Sequence, residues 1–272
     1  DQSDPVFGGG STVAGGNTAQ PFAGELCVAD GDVNTERAAL ASYAAGLFDV
    51  EGQRTVYAKD IFSRRSPASI TKVMTALVTL KYGNLDDVVT VTPIVRDIEY
   101  GSSVCDIKEG DVLSLRQLLY GMMIASGNDA SMMIEARAIG ATGTHFTNPH
   151  GLTDPDHYTT VYDIYLMMNE ALKYDIFQDI ISRKNYYAEY TRTDGSAVAV
   201  TWESTNHYLL GSAQAPEQVV VYGGKTGTTD DAGACLTLLA KDLYGNPYIS
   251  VILHSETKDT LYTEMTELLS LI

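Results

Sequence analysis

Strand-type patterns stand at both ends of this chain and helical patterns lie between them, which limits the folds open to it. Near the N-terminus, Tyr43-Ala44-Ala45-Gly46-Leu47-Phe48 reads as a buried strand. Glu51-Gly52 turns the chain, and Arg54-Thr55-Val56-Tyr57 returns it as a hairpin. In the last third, Val219-Val220-Val221-Tyr222 and residues 234–240 read as strands. The turn Tyr244-Gly245-Asn246-Pro247 then leads into Tyr248-Ile249-Ser250-Val251-Ile252-Leu253. Between these ends, Pro67 precedes a helical repeat marked by Val73, Leu77 and Leu80 and stopped at Gly83. Segments 115–125, 130–139, 162–173 and 257–272 read as further helices, the first of them apolar nearly all round. The expected fold class is α+β: an antiparallel five-stranded sheet made from the hairpin and the C-terminal strands, flanked by helices, plus a mainly helical lobe.

Composition removes several function classes. Eighteen Lys and Arg against 35 Asp and Glu leave a formal charge of −17, which argues against nucleic acid or an anionic membrane as a general partner. No apolar run approaches the roughly 18 residues of a membrane span. Residues 1–24 hold six of the 24 glycines and read as a flexible tail, leaving 25–272 as one folded domain. No basic-then-apolar leader opens the sequence, so a mature or trimmed form is expected. Cys27, Cys105 and Cys235 are too few and too irregularly spaced for a disulfide framework or a zinc knuckle, and Cys235 reads as a buried, inert thiol. The five histidines lack metal-ligand spacing, and His150 beside Gly151 reads as a loop residue bonding backbone. Asp30-Gly31-Asp32-Val33-Asn34 begins like a calcium loop, but Thr35 and Ala41 stand where the turn glycine and bidentate glutamate belong. No metal or cofactor is therefore expected.

Three short motifs carry the chemistry. Ser69-Ile70-Thr71-Lys72 opens the first helix, Ser126-Gly127-Asn128 follows the second, and Lys225-Thr226-Gly227-Thr228 follows a strand. Each has a decoy or a bland reading: Ser255 and Lys258 repeat the first spacing, Ser204 and Asn206 the second, and Ser69 alone could be a plain helix cap. Ser69 differs in standing at a helix start, where residues three apart share one face. A serine hydroxyl is a poor nucleophile until an adjacent base takes its proton. Lys72 can be that base only when neutral, and a helix N-terminus, burial and the nearby Lys225 all disfavour its charged form. Acyl transfer also needs two backbone donors for the oxyanion, for which the Ser69 and Thr228 N–H groups are candidates. Gly227 suits a strand that another backbone must approach closely.

In this order the motifs match those of class A β-lactamases and penicillin-binding proteins. From about Ser42 to the C-terminus the chain resembles the serine D-alanyl-D-alanine carboxypeptidases, the low-molecular-mass penicillin-binding proteins. The likeness extends to Pro67-Ala68-Ser69-Ile70-Thr71-Lys72-Val73-Met74-Thr75-Ala76, Ser126-Gly127-Asn128-Asp129-Ala130, Thr147-Asn148-Pro149-His150-Gly151-Leu152 and Gly223-Gly224-Lys225-Thr226-Gly227-Thr228. The resemblance implies a β-lactamase/transpeptidase-like fold and an extracytoplasmic serine enzyme. Such an enzyme removes the terminal D-alanine from peptidoglycan stem peptides and is acylated by β-lactams. It makes Ser69 the nucleophile and Lys72 the acylation base. Ser126 and Lys225 become a proton relay to the leaving amine, Asn128 a holder of a substrate amide, and Thr226, Gly227 and Thr228 the substrate-binding strand.

Between Asn128 and Phe146 lie 17 residues where the family usually has a longer helical stretch, so Met132-Met133-Ile134-Glu135 reads as a junction. The β-rich second domain and membrane-anchoring helix of many relatives are not expected within these 272 residues. Two rivals stay open: a class A-like β-lactamase, which needs a glutamate that Asn148-Pro149-His150-Gly151-Leu152-Thr153-Asp154 does not supply, and a penicillin-sensing module without turnover.

Overall fold

A computed structural model describes residues 25–134 and 146–272. The glycine-rich tail and the second half of the helix expected over 130–139 lie outside the described residues.

The N-terminal hairpin forms as expected, with β1 (Ala44–Asp49) antiparallel to β2 (Arg54–Lys59). A short 3-10 turn, Ala68–Ile70, leads into α1 (Thr71–Tyr82), so Ser69 sits in the turn just ahead of the helix rather than in it. The middle of the chain supplies β3 (Val88–Thr90), β4 (Val112–Ser114), α2 (Leu115–Ile124), α3 (Asn128–Met132), α4 (Val161–Ala171) and α5 (Asp175–Ser182). It continues with β5 (Asn185–Thr191), β6 (Ala197–Glu203) and the short α6 (His207–Leu210). The chain closes with β7 (Val219–Thr229), β8 (Gly233–Asp242), β9 (Pro247–Ser255) and α7 (Lys258–Leu269). Caps account for several starts. Ser114 and Gln117 form a reciprocal capping box on α2, and Thr160 and Thr257 cap α4 and α7.

The main sheet has the order β2-β1-β9-β8-β7, all antiparallel, which joins the two ends of the chain. Successive strand residues point to opposite faces, and both faces are covered. Leu47, Leu238 and Ile252 pack in one apolar cluster with Leu261, Met265 and Leu268 of α7. Their neighbours Phe48, Leu239 and Val251 pack in the other with Val73 and Leu77 of α1 and Ile164 and Met168 of α4. Double coverage explains why β1 reads as a continuous apolar run rather than an alternating one. Two glutamates of α7 also grip the segment before β1. The buried Glu264 carboxylate accepts the Ala41 and Ser42 N–H groups and the Ser255 hydroxyl, and Glu267 accepts Ala39 N–H at 3.0 Å.

A second, four-stranded sheet, β3-β4-β5-β6, adds to the helical lobe and had no counterpart in the sequence reading. Its Tyr186 stacks on Tyr120 of α2 at 4.2 Å between ring centroids. Its Trp202 indole donates to the Cys105 carbonyl at 3.0 Å. One expectation about placement is corrected. The Lys225–Thr228 motif does not follow a strand but lies inside β7, which continues to Thr229 and forms the outer edge of the main sheet.

Candidate active site

The nucleophile turn, the second motif and the edge strand converge on one cleft. Ala68, fully buried, has a φ of +49°, a left-handed conformation that is unfavourable for a residue with a Cβ. It turns the chain so that Ser69 faces β7. That strand crosses the turn closely: a Cβ on Gly227 would lie 2.8 Å from the Ser69 nitrogen and 3.0 Å from that of Ile70. Glycine is therefore required there by approach rather than by dihedral angle.

One helical step on, the buried Lys72 Nζ lies 2.8 Å from Ser69 Oγ. It also lies 2.7 Å from Asn128 Oδ1 and 2.8 Å from the His150 carbonyl. Burial, and after it the repulsion of Lys225, hold the Lys72 pKa well below the ordinary lysine value. A neutral amine has two N–H donors and one lone pair. Asn128 Oδ1 and the His150 carbonyl can only accept, so they take both donors and leave the lone pair for the Ser69 hydroxyl proton. This is the arrangement a base for Ser69 needs.

The second pair is Ser126 and Lys225. Ser126 also occupies the left-handed region, at φ +57°, and its Oγ accepts from Lys225 Nζ at 2.9 Å. Lys225 donates as well to the Thr226 carbonyl at 2.7 Å, and burial brings its pKa down to about 7. Behind this turn the buried Asp129 carboxylate accepts the Cys105, Ile107 and Ala130 N–H groups, while Ser103 O accepts Asn128 N–H at 2.8 Å. The segment 103–107 is thereby tied to the second motif.

Two cavities open from Ser69. One of about 430 Å³ is bordered by Ser69, Asn128, His150 and Thr228, with Glu99 and Asp230 at its rim. The other, about 180 Å³, is bordered by Ser69, Ser126, Thr226, Gly227 and Thr228. All eight residues singled out from the motifs thus meet in one place. The decoy serine and asparagine have other partners. Ser255 is buried on Glu264, far from the role of nucleophile, and Asn206 caps α6. Their companions Lys258 and Thr205 do border the smaller cavity, with Thr205 Oγ1 2.5 Å from Thr226 Oγ1. Lys258 repeats the first motif's spacing but reaches the cleft without its serine, and no motif spacing marks Thr205; the fold brings both there. His150 enters by its carbonyl, which no side-chain pattern announces. Its ring bonds backbone as expected, with Nδ1 accepting Leu152 N–H at 3.2 Å. Burial, followed by the proximity of Lys72, lowers the pKa of that ring to about 4.

The three cysteines are buried and unpaired. Among the described residues, no group of three or more His, Cys, Asp or Glu is placed to hold a metal ion. Met122 and Met123 are core residues; Met132 and Met133, half-buried, border a separate cavity with Phe146, and Met133 also packs against the core.

A family model described as D-alanyl-D-alanine carboxypeptidase matches residues 32–140 and 131–257, the two stretches overlapping where the sequence suggested a junction. The chain is 29% identical over 259 residues to the D-alanyl-D-alanine carboxypeptidase DacF of Bacillus subtilis, covering 86% of this chain and 63% of that protein. It is 30% identical over 280 residues to DacC of Escherichia coli, covering 92% of this chain and 64% of that protein. It therefore spans a little under two thirds of the length of both relatives. The crystal structure of the Streptomyces K15 DD-transpeptidase superposes with a TM-score of 0.76 at 27% identity, covering 85% of this chain and 97% of that one.

Proposed function

This chain belongs to the D-alanyl-D-alanine carboxypeptidase family, and on that premise we propose that it is a serine D,D-carboxypeptidase. Its substrate is a peptidoglycan stem peptide ending in D-Ala-D-Ala, from which it removes the last residue through an acyl-enzyme. The observation that carries this reading is the Lys72 amine, 2.8 Å from Ser69 Oγ and with both N–H groups engaged elsewhere.

Lys72 takes the Ser69 proton as Oγ attacks the carbonyl carbon of the penultimate D-alanine. The oxyanion rests on the Ser69 and Thr228 N–H groups. The tetrahedral adduct collapses by breaking the C–N bond, and Ser126, bonded to Lys225, passes a proton to the departing amine. Asn128 holds a substrate amide, and Thr226 and Thr228 hold the terminal carboxylate beside β7. Lys225 supplies local positive charge there, despite the net −17 of the chain. Water then cleaves the ester. A β-lactam enters by the same attack on its cyclic amide. Because the substrate lies outside the cytoplasm, the enzyme works in the cell envelope. No helix among the described residues is long and apolar enough to cross a membrane.

Incubation with a D-Ala-D-Ala peptide tests the proposal. Stoichiometric release of D-alanine is the expected result. Stable acylation by penicillin with no D-alanine released would make the protein a sensor, and sustained penicillin hydrolysis would make it a β-lactamase.

A further inference from the structure

The geometry points to Asn148 as a positioning residue for the catalytic lysine, acting through the main-chain carbonyl of His150; the inference rests on the acyl-transfer reading above. Of the three atoms around Lys72 Nζ, Ser69 Oγ and Asn128 Oδ1 belong to the motifs, and the His150 oxygen at 2.8 Å belongs to neither. Without that oxygen one N–H of the neutral amine has no acceptor. The amine then rotates to donate to Ser69 Oγ, presenting a proton where its lone pair is needed. The carbonyl therefore decides which way the base faces.

A backbone carbonyl is only as well placed as its loop. Asn148 spends both ends of its side-chain amide across His150: Oδ1 accepts Gly151 N–H at 2.7 Å, and Nδ2 donates to the Leu152 carbonyl at 3.0 Å. Other contacts fix the loop to the nucleophile segment. Thr75 Oγ1 of α1 donates to the Pro149 carbonyl at 2.8 Å. Gly151, at φ +93°, presses on the preceding turn so closely that a Cβ there would lie 1.8 Å from the Ala68 oxygen. Those contacts hold the loop against α1 on either side of His150. The Asn148 side chain closes the turn around it with two bonds, beside the one from Leu152 N–H to the His150 ring, and so directs its carbonyl.

Asn148→Ala and Asn148→Asp test the assignment, the aspartate keeping an acceptor for Gly151 N–H while losing the donor to Leu152. The measurements are the rate constant for acylation by a fluorescent penicillin, kcat and KM for D-alanine release, and thermal unfolding. The alanine variant is expected to acylate roughly a hundredfold more slowly, the effect of a misplacement near 1 Å. Its kcat should fall in step, its KM should stay within about twofold of wild type, and the aspartate variant should recover part of the rate. A loss confined to KM, wild-type acylation in the alanine variant, or an aspartate variant no faster than alanine at equal stability would each overturn it. Should the alanine variant fail to fold, the aspartate variant decides alone, by slowed acylation at unchanged KM or by its absence. Failure of the wild-type protein to be acylated at all would instead sink the acyl-transfer reading.

Discussion

Replacing Lys225 with methionine should flatten the pH dependence of folding stability by about 3 kcal/mol between pH 6 and pH 9. Lys225 is 1% exposed, and burial lowers its pKa from 10.5 to about 7. Below pH 7 the folded and unfolded chains both hold its proton. Between pH 7 and 10 the unfolded chain keeps the proton while the folded protein has released it, so wild-type stability rises with pH. Over the interval from 6 to 9 this difference accumulates across about two pH units, at about 1.4 kcal/mol each. Methionine keeps most of the stem's bulk and carries no proton, so the slope from this site vanishes. Lys72 is present in both proteins, and burial, the larger cause of its low pKa, is the same in each; only the repulsion from Lys225 is lost in the variant. At pH 6 the variant also escapes the cost of a buried cation, set against an unpaired Ser126 Oγ and Thr226 carbonyl at about 1–3 kcal/mol each. Urea unfolding at pH 6, 7.5 and 9, followed by the fluorescence of the single tryptophan, Trp202, measures the difference. Parallel pH dependences in wild type and variant would refute the reasoning.

Ser69→Ala should abolish covalent labelling by a fluorescent penicillin while leaving stability within about 1 kcal/mol, as expected for a partly exposed residue whose hydroxyl meets, among the described residues, Lys72 and, at 3.5 Å, the His150 carbonyl; retained labelling would place the nucleophile elsewhere. Gly151→Ala should destabilise by on the order of 2–4 kcal/mol, since it combines a φ of +93° with a Cβ 1.8 Å from the Ala68 oxygen. It should also slow labelling, because the turn that must yield carries Ser69; an unchanged melting temperature with unchanged labelling would show that the loop does not bear on the nucleophile.

What the sequence made legible, and what it did not, follows from the range over which each signal acts. The helix carrying Lys72 announces itself through Val73, Leu77 and Leu80, and the hairpin through Glu51-Gly52, because periodicity and turn chemistry are local. The second sheet escaped because β3 and β4 are only three residues long and pair with partners far along the chain. Its β5–β6 hairpin did leave a readable sign in Asp194-Gly195 between two runs of alternating exposure. The motif side chains were legible because the chemistry demands those residue types. The His150 carbonyl was not, since every residue has one and only the fold decides where it points. Thr205 and Lys258 likewise border the cleft through the fold, Thr205 just ahead of α6, which packs on β7, and Lys258 at the start of α7, which packs on β8 and β9.

The placement of this site also follows from what its chemistry needs. Enclosure holds two lysines below the ordinary lysine pKa, and two residues with side chains, Ala68 and Ser126, are held in left-handed conformations at the same spot. Each feature is unfavourable by itself, and each survives only where surrounding structure over-determines it. The main sheet provides that surrounding, because apolar clusters on both of its faces fix β7 at its outer edge. The site must lie at that edge and not deeper, since a substrate has to reach β7, and not further out, since a hydrated Lys72 would regain its proton and cease to be a base. Burial and access conflict everywhere except along this line. The three motifs, distant in sequence, meet there because the nucleophile turn packs against β7 and the second motif closes over its lysine.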